Sequence, residues 1–218
     1  MHCRNWIGSI LLTLAMALPS PAMSGQTVIP NYDTARDTFF WNQLYAAGGV
    51  TIYCGQPFTR KLGLDVEHVY PAGWMVDHLG CTSRSQCRQT SPAFNFMEAD
   101  LHNLYPARCG ANRSRSNMLY GLVAGERRDF GLGCDFEIDT TARIAEPPAT
   151  SRGNIARSIF YLHQEYGLPI PGGMLSMLKR WNTSDPPDDE ERARNDAIDA
   201  IQQTRNPFID DPSLADGL

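Results

Sequence analysis

Histidine, carboxylate, amide and arginine side chains lie close together in three short segments of this chain: EHVYP at residues 67–71, EADLHNLYP at 98–106 and NRSRSN at 112–117. Apolar residues alternate over 64–69, which predicts a strand that ends before Pro71. Residues 97–104 predict a second, returning strand that Pro106 ends. The third segment opens a predicted helix over 112–123. The three segments are therefore expected on two short strands and at the start of a helix.

Outside these segments the sequence predicts further helices, short strands and one long loop. Residues 34–46 favour a helix after Asp33, and residues 155–166 carry apolar side chains at helical spacing before Gly167. Strands are predicted over 50–54 and 134–138, with a polar loop over 73–96. A short helix is predicted through Leu175, Leu178 and Trp181. A last helix is predicted from Asp185, with acidic residues at its N-terminus, the positive end of the helix dipole. This mixture predicts an α+β fold.

Length and composition favour one packed domain. A chain of 218 residues with 42% hydrophobic and 20% charged residues is unlike disordered, collagenous, coiled-coil or multi-span membrane proteins. The formal net charge of −5 gives no overall case for binding a polyanion, but the charge is unevenly distributed. Residues 185–218 hold ten acids and three arginines, whereas residues 84–128 hold seven arginines, no lysine and three acids. Arginine forks match phosphate oxygens, although a solvated face paired with carboxylates is the alternative.

The first residues resemble an export signal. Arg4 precedes an apolar run over 6–18, and small residues at Ser20, Ala22 and Ser24 offer cleavage points. The run is shorter than the roughly 20 residues that a membrane-spanning helix needs. We therefore expect a signal peptide over 1–24, a single domain over 25–212, a C-terminal tail over 213–218, and a periplasmic or secreted location.

Cleavage of the signal would leave five cysteines, which cannot all pair within one chain: Cys54, Cys81, Cys87, Cys109 and Cys134. Cys81 and Cys87 flank a short polar loop, so a bridge between them costs little loop-closure entropy. A zinc site using both with a histidine is an alternative, but their spacing is not that of structural zinc sites. We expect the Cys81–Cys87 bridge and one free thiol.

The three segments, in this order, resemble the motifs of the bacterial endonuclease I family, which are exported nonspecific nucleases with a ββα-metal fold. Residues 145–148, 152–157 and 203–208 also look like segments of that family, so the resemblance covers roughly residues 33–212. It implies a disulfide-stapled α+β domain built around a ββα-metal finger.

The resemblance implies a general base and a metal site. His68 matches the base, and a neutral imidazole with pKa near 6.5 can take a proton from water near neutral pH. Glu67 and Asn112 match the metal ligands, and two oxygen ligands suit Mg²⁺, or Ca²⁺ or Mn²⁺ in its place. A single ion that assists the departing 3′ oxygen would leave 5′-phosphate products. Because strand alternation would send adjacent residues to opposite faces, a twist or bulge is expected at Glu67 and His68.

Five more residues complete the predicted site. Arg84 stands where the family carries a phosphate-binding arginine, and Arg113 and Arg115 are expected to line the same basic cleft. Glu98 is a candidate for orienting or electrostatically tuning the general base, and Asn103 for holding the loop that carries it. A purely structural role for these last two is the alternative.

The remaining cysteines leave two pairings open. Many family members carry a second cysteine where Gln56 stands here, which predicts that one family bridge is absent. Cys109 is either the free thiol or a rival partner for Cys134. The preferred second bridge is Cys54–Cys134, because it joins two strand-like segments.

Two other classes of function stay open at this point. A zinc hydrolase, either a peptidase or an amidase, could use His68, His102 and a cysteine or carboxylate. A noncatalytic module would bind nucleic acid without cutting it. The nuclease interpretation predicts a monomer that acts on DNA and RNA through their phosphates and does not bind membranes, since phosphate contacts carry little base information.

Overall fold

The structure is a computed structural model that describes residues 25–218, so the signal-peptide prediction lies outside the described residues. The elements of the first half are, in chain order, α1 (Tyr32–Thr34), a π-helix (Ala35–Leu44), β1 (Gly49–Val50), β2 (Pro57–Phe58), β3 (Leu64–His68), α2 (Ala72–His78), α3 (Arg84–Thr90), α4 (Pro92–Glu98), a 3-10 turn (Leu101–Asn103), β4 (Leu104–Arg108) and α5 (Cys109–Arg115).

Three further strands and four helices follow in the described chain. They are β5 (Leu119–Tyr120), β6 (Glu137–Asp139), β7 (Ile144–Glu146), α6 (Arg152–Tyr166), α7 (Leu175–Ser184), α8 (Asp189–Gln202) and α9 (Pro207–Asp210), with 3-10 turns at Ala149–Ser151, Pro171–Gly173 and Pro212–Gly217. The α+β prediction is confirmed.

The three motifs lie on one strand–strand–helix unit. β3 and β4 pair antiparallel, with Leu64 opposite Arg108 and His68 opposite Leu104, and α5 follows β4 directly. The second strand therefore lies later than the predicted 97–104. Pro106 does not end it but lies inside it, which a two-stranded sheet tolerates because each strand has a free edge. Its carbonyl accepts a hydrogen bond from the backbone N–H of Ile52 at 2.9 Å.

The prediction of a loop over 73–96 is wrong, because α2, α3 and α4 lie in this range. Serine side chains start two of these helices: Ser83 Oγ accepts from the Gln86 N–H and Ser91 Oγ from the Phe94 N–H, both at 3.1 Å. N-capping satisfies amides that a helix start would leave unpaired. These helices are short and carry no extended apolar repeat, so hydrophobic periodicity alone did not indicate them.

Other boundaries were also wrong. The strand predicted over 134–138 begins only at Glu137. The helix predicted over 112–123 begins earlier, at Cys109, and ends at Arg115, because Ser116 adopts a left-handed φ of 52°. The strand predicted over 50–54 is limited to Gly49–Val50. Beyond it the chain turns, and the N–H of Gly55 donates to the carbonyl of Thr51 at 2.9 Å.

The helices of the second half agree well with the sequence. Residues 155–166 lie in α6, and Gly167 ends it with φ 65°. The last helix starts at Asp189 rather than Asp185, because the Asp188 side chain caps it by accepting from the Glu191 N–H at 2.7 Å. The 213–218 segment assigned to a tail forms a 3-10 turn against α7, where Lys179 Nζ donates to the Leu218 carbonyl at 2.7 Å.

Two apolar clusters hold the site between them. The larger packs α6 and α7 against the α5–β5 region and includes the buried Phe160 and Tyr120. The smaller packs the π-helix and α8 against the other side of the hairpin through Phe40, Val66 and Leu104. Burial of this apolar surface fixes the hairpin from both sides.

Both predicted disulfides are present, Cys54–Cys134 and Cys81–Cys87. Cys109 is the cysteine left without a disulfide within residues 25–218. Over that same range, every helix falls short of the length and apolar character that crossing a membrane requires.

Candidate active site

The end of β3 opens into a cleft of about 500 Å³ between α1, α2 and α5. Of the predicted site residues, the cleft is lined by Glu67, His68, Arg84 and Asn112. Residues from a strand end and from two helix regions therefore meet at one concave surface, as an active site requires.

His68 is held as a neutral imidazole with a defined tautomer. Its Nε2 lies 2.9 Å from the backbone carbonyl of Glu98. A carbonyl only accepts, so Nε2 carries the proton and Nδ1 keeps its lone pair. Burial, reinforced by the charge of Arg84, lowers the pKa of His68 to about 3. The ring also packs against Tyr32, with 5.0 Å between ring centroids. Nδ1 is thus free to accept a proton.

Glu67 is a buried carboxylate whose negative charge is only partly balanced by its neighbours. Its Oε1 accepts from the Tyr53 hydroxyl at 2.6 Å and lies 3.3 Å from Arg115 Nη1. Burial outweighs Arg115 and raises the pKa of Glu67 to about 7. Among residues 25–218 no hydrogen bond reaches Oε2. A largely buried carboxylate with such a deficit of positive charge and one oxygen without a hydrogen bond fits a cation ligand.

Asn112 supplies the second oxygen of this donor set. The residue lines the cleft, and its Nδ2 donates to the Val66 carbonyl at 3.2 Å, which leaves Oδ1 without a hydrogen bond among the described residues. Carboxylate and amide oxygens are hard ligands, and Mg²⁺ usually keeps several waters beside one or two of them. The residues present therefore fit a divalent cation of that class.

Of the twist or bulge expected at Glu67 and His68, the bulge is absent from this described part of the chain. The pairing of β3 with β4 runs one to one through both residues. The side chains keep different directions, since Glu67 contacts Tyr53 and Arg115 whereas His68 contacts Tyr32 and the end of α4. Both still line the cleft, because it includes both sides of the strand end.

Glu98 acts through two groups. Its backbone carbonyl fixes the His68 tautomer, and its fully buried carboxylate pairs with Arg84 and, at 2.7 Å, with Arg88. The Arg84 side chain remains 43% exposed. Its Nε is held by Glu98 while its terminal nitrogens remain able to meet a ligand, so Glu98 positions both the imidazole and the guanidinium.

The expectation that Arg113 and Arg115 line the cleft is wrong. Arg115 is fully buried and donates to the Val69 carbonyl at 2.8 Å and to the His68 carbonyl at 3.3 Å. Arg113 is exposed, lies outside the cleft, and folds back on the Cys109 carbonyl. Helical spacing explains this, because residues two apart on a helix face different directions.

Asn103 brackets the segment that follows His68. Its Oδ1 accepts from the Tyr70 N–H at 2.6 Å, and its Nδ2 donates to the Tyr70 carbonyl at 2.9 Å. Its own carbonyl accepts from the Val69 N–H at 3.0 Å. The side chain thus holds the loop after β3 in place.

The zinc alternative is not supported by the geometry. His102 is fully buried, and its Nε2 lies 3.0 Å from the Thr204 carbonyl. Cys81 and Cys87 are bonded to each other. In the part of the chain that the structure describes, the one trio of possible metal-binding side chains is acidic and lies elsewhere.

Sequence comparison agrees with this arrangement, since a family profile described as Endonuclease I matches residues 26–213. The chain belongs to the endonuclease I family. It is 31% identical to an extracellular deoxyribonuclease of Aeromonas hydrophila, over 92% of this chain and 96% of that protein. It is 30% identical to a periplasmic deoxyribonuclease of the same organism over 93% of each chain. It is also 33% identical to an extracellular ribonuclease of Bacillus subtilis (strain 168), over 55% of this chain and 46% of that protein.

Sequence patterns did not identify three residues near the site of this endonuclease. Arg88 shares the Glu98 carboxylate, Tyr53 binds the Glu67 carboxylate, and Tyr32 lies beneath both Arg84 and His68. A second arginine one helical turn after Arg84 was the available signal for Arg88. The two tyrosines come from distant segments, so local spacing gave no sign of them.

Proposed function

We propose that this endonuclease hydrolyses phosphodiester bonds of DNA and RNA, with His68 as general base and Mg²⁺ as cofactor. The observation that carries the proposal is the tautomer of His68. Its Nε2 proton is committed to the Glu98 carbonyl, so the lone pair of Nδ1 is the one available to a water. Burial lowers the pKa of His68, so the imidazole is unprotonated at neutral pH although it is a weaker base than a free imidazole.

In the proposed reaction Nδ1 of His68 removes a proton from a water molecule. The oxygen of that water attacks phosphorus in line, the bond from phosphorus to the 3′ oxygen breaks, and solvent protonates the departing oxygen. The products carry a 5′ phosphate and a 3′ hydroxyl. Glu67 and Asn112 would hold the Mg²⁺, which when bound supplies positive charge to the phosphate and the leaving oxygen.

Arg84 supports phosphate binding in this scheme. It lines the cleft and is held by Glu98 at Nε, so its fork is already oriented before substrate arrives. A guanidinium positioned in advance loses less side-chain entropy on binding a phosphate than a free one does.

The names of the relatives support the proposed substrate range and location. Those matched across most of this chain are named extracellular and periplasmic deoxyribonucleases, and another is named an extracellular ribonuclease. We propose an exported monomer that acts on both nucleic acids, since the cleft offers groups for phosphate rather than for a particular base.

Removal of divalent metal is expected to abolish cleavage. Plasmid incubated with the protein should stay supercoiled in EDTA, and excess Mg²⁺ should restore nicking. A noncatalytic binding module would shift the plasmid on a gel without cutting it in either condition.

An Asn112→Ala variant makes this experiment specific to the site. It should need at least about tenfold more Mg²⁺ for half-maximal cleavage, because one of two protein ligands is lost. Asn117→Ala is the matched control, since Asn117 lines the same cleft. An unchanged Mg²⁺ requirement in Asn112→Ala would rule out its assignment as a ligand.

The Arg84→Ala variant is expected to lose roughly 10- to 100-fold in kcat/KM on a short oligonucleotide, the effect of one charged hydrogen bond. Arg113→Ala should change kcat/KM by less than about twofold, because Arg113 lies outside the cleft. Steady-state kinetics at fixed salt would measure both variants. Equal losses would contradict the different positions of the two arginines.

A further inference from the structure

A second group of carboxylates lies away from the cleft, around the loop between β5 and β6. Glu126 and Asp135 belong to the loop, and Glu137 is the first residue of β6. Oxygen atoms of the three side chains all lie within 4.8 Å of one another. The loop is tied to the core through Cys134, directly before Asp135.

Glu137 gives this cluster its chemical character. The residue is only 4% exposed, and within the described chain its Oε1 has no hydrogen-bond partner. Burial, followed by the charges of Asp135 and Glu126, raises the pKa of Glu137. A buried carboxylate oxygen left unpaired is costly unless a positive group reaches it.

The neighbouring strand does not provide that positive group. Glu137 pairs directly with Glu146 on β7, and like charges placed opposite each other destabilise a sheet. Glu146 is compensated, because Arg152 binds its Oε1 at 2.6 Å and the Val123 N–H binds its Oε2. Among the residues described, Glu137 meets the backbone N–H of Arg128 but pairs with no positively charged side chain.

Arg128 neutralises only part of the cluster. Its Nη1 lies 2.5 Å from Asp135 and its Nη2 lies 3.3 Å from Glu126, with neither ion pair extending to Glu137. Three carboxylates and one guanidinium leave a formal charge of −3 + 1 = −2. A divalent cation would balance that charge.

We propose that Glu126, Asp135 and Glu137 bind a Ca²⁺ ion that fastens the loop between β5 and β6 to the sheet. Ca²⁺ lies about 2.4 Å from its oxygen ligands, so two of them can be at most about 4.8 Å apart. The cluster meets that limit. Ca²⁺ also accepts irregular sets of carboxylates, loop carbonyls and water, as this loop can offer. The site shares no residue with the cleft and does not depend on the proposed reaction.

Limited trypsin digestion of the mature chain would test the proposal, because Arg127 and Arg128 lie in the loop itself. If the ion binds only the closed loop, Ca²⁺ at ten times its Kd should slow cleavage there about tenfold. Peptide mass spectrometry would follow cleavage after these two arginines. The Glu126→Gln and Asp135→Asn variants should lose the protection, whereas Glu190→Gln, which alters an exposed glutamate on α8, should keep it.

The Asn112→Ala variant separates this site from the cleft. It should keep the Ca²⁺ protection and retain one bound Ca²⁺ per chain in equilibrium dialysis, and adding Glu126→Gln should remove both. If Ca²⁺ protects Glu126→Gln and Asp135→Asn as well as the parent, or if Asn112→Ala binds no Ca²⁺, the proposed site is overturned.

Discussion

The His68→Ala variant is expected to cleave DNA about 10² to 10⁴ times more slowly than the parent, which is the usual contribution of a general base. Nδ1 of His68 is the ring nitrogen left with a lone pair, because Nε2 donates to the Glu98 carbonyl. Single-turnover cleavage of a labelled duplex at neutral pH would measure the chemical step. Mg²⁺ dependence and substrate binding should change little, since Glu67, Asn112 and Arg84 remain.

His78→Ala provides the matched control, because His78 is an exposed histidine at the end of α2. That variant should retain the activity of the parent. Near-normal single-turnover rates in His68→Ala would remove His68 from the mechanism. Loss of thermal stability in parallel with activity would instead point to a structural role, so the melting temperature of each variant should be compared.

The sequence predicted β3, the family and two supports of the site, Glu98 and Asn103, but not the position of the returning strand or the other supports. Glu67, His68 and Asn112 were identified from ordered motifs and Arg84 from its family position before Cys87, and all four line one cleft. Motifs succeed there because the groups that touch a ligand leave little freedom in residue type. The supports from Tyr53 and Tyr32 come from tertiary contacts, which local spacing does not encode.

The arginine-rich segment over 84–128 shows that a sequence does not reveal which way its charged side chains point. Three arginines were expected to share one basic surface, yet Arg84 lines the cleft, Arg113 points away from it and Arg115 is buried. Composition reports the number of charges and not their direction. The end of α5 at Ser116, where the backbone turns left-handed, also lay outside what helical propensity predicts.

The short helices show a similar limit at the level of the fold. α3 and α4 have seven residues each, and both start at a capping serine. Helices of this length are marginal alone and depend on tertiary packing. Cys87, Phe94 and Met97 supply that packing by burying one side of each helix. No periodic signal of useful length exists in such segments.

Arg115→Met is expected to lower the free energy of unfolding by about 3 to 5 kcal/mol, the usual cost of breaking a buried ion pair. Arg115 is fully buried, lies 3.3 Å from Glu67 and donates to the carbonyls of His68 and Val69. It also packs against the Tyr120 ring at 4.4 Å. Methionine would fill similar space but leave the carboxylate and both carbonyls without this donor.

Urea unfolding at neutral pH would measure this loss, with Arg113→Met as the control because it makes the same replacement on an exposed side chain of the same helix. The control should change the free energy of unfolding by less than about 0.5 kcal/mol. Parent-like stability in Arg115→Met would show that the buried contacts do not support the fold.

Activity should fall in Arg115→Met even where the protein is still folded, since the carbonyls that Arg115 binds belong to His68 and its neighbour. That loss should not depend on salt, because Arg115 cannot reach a phosphate in the cleft.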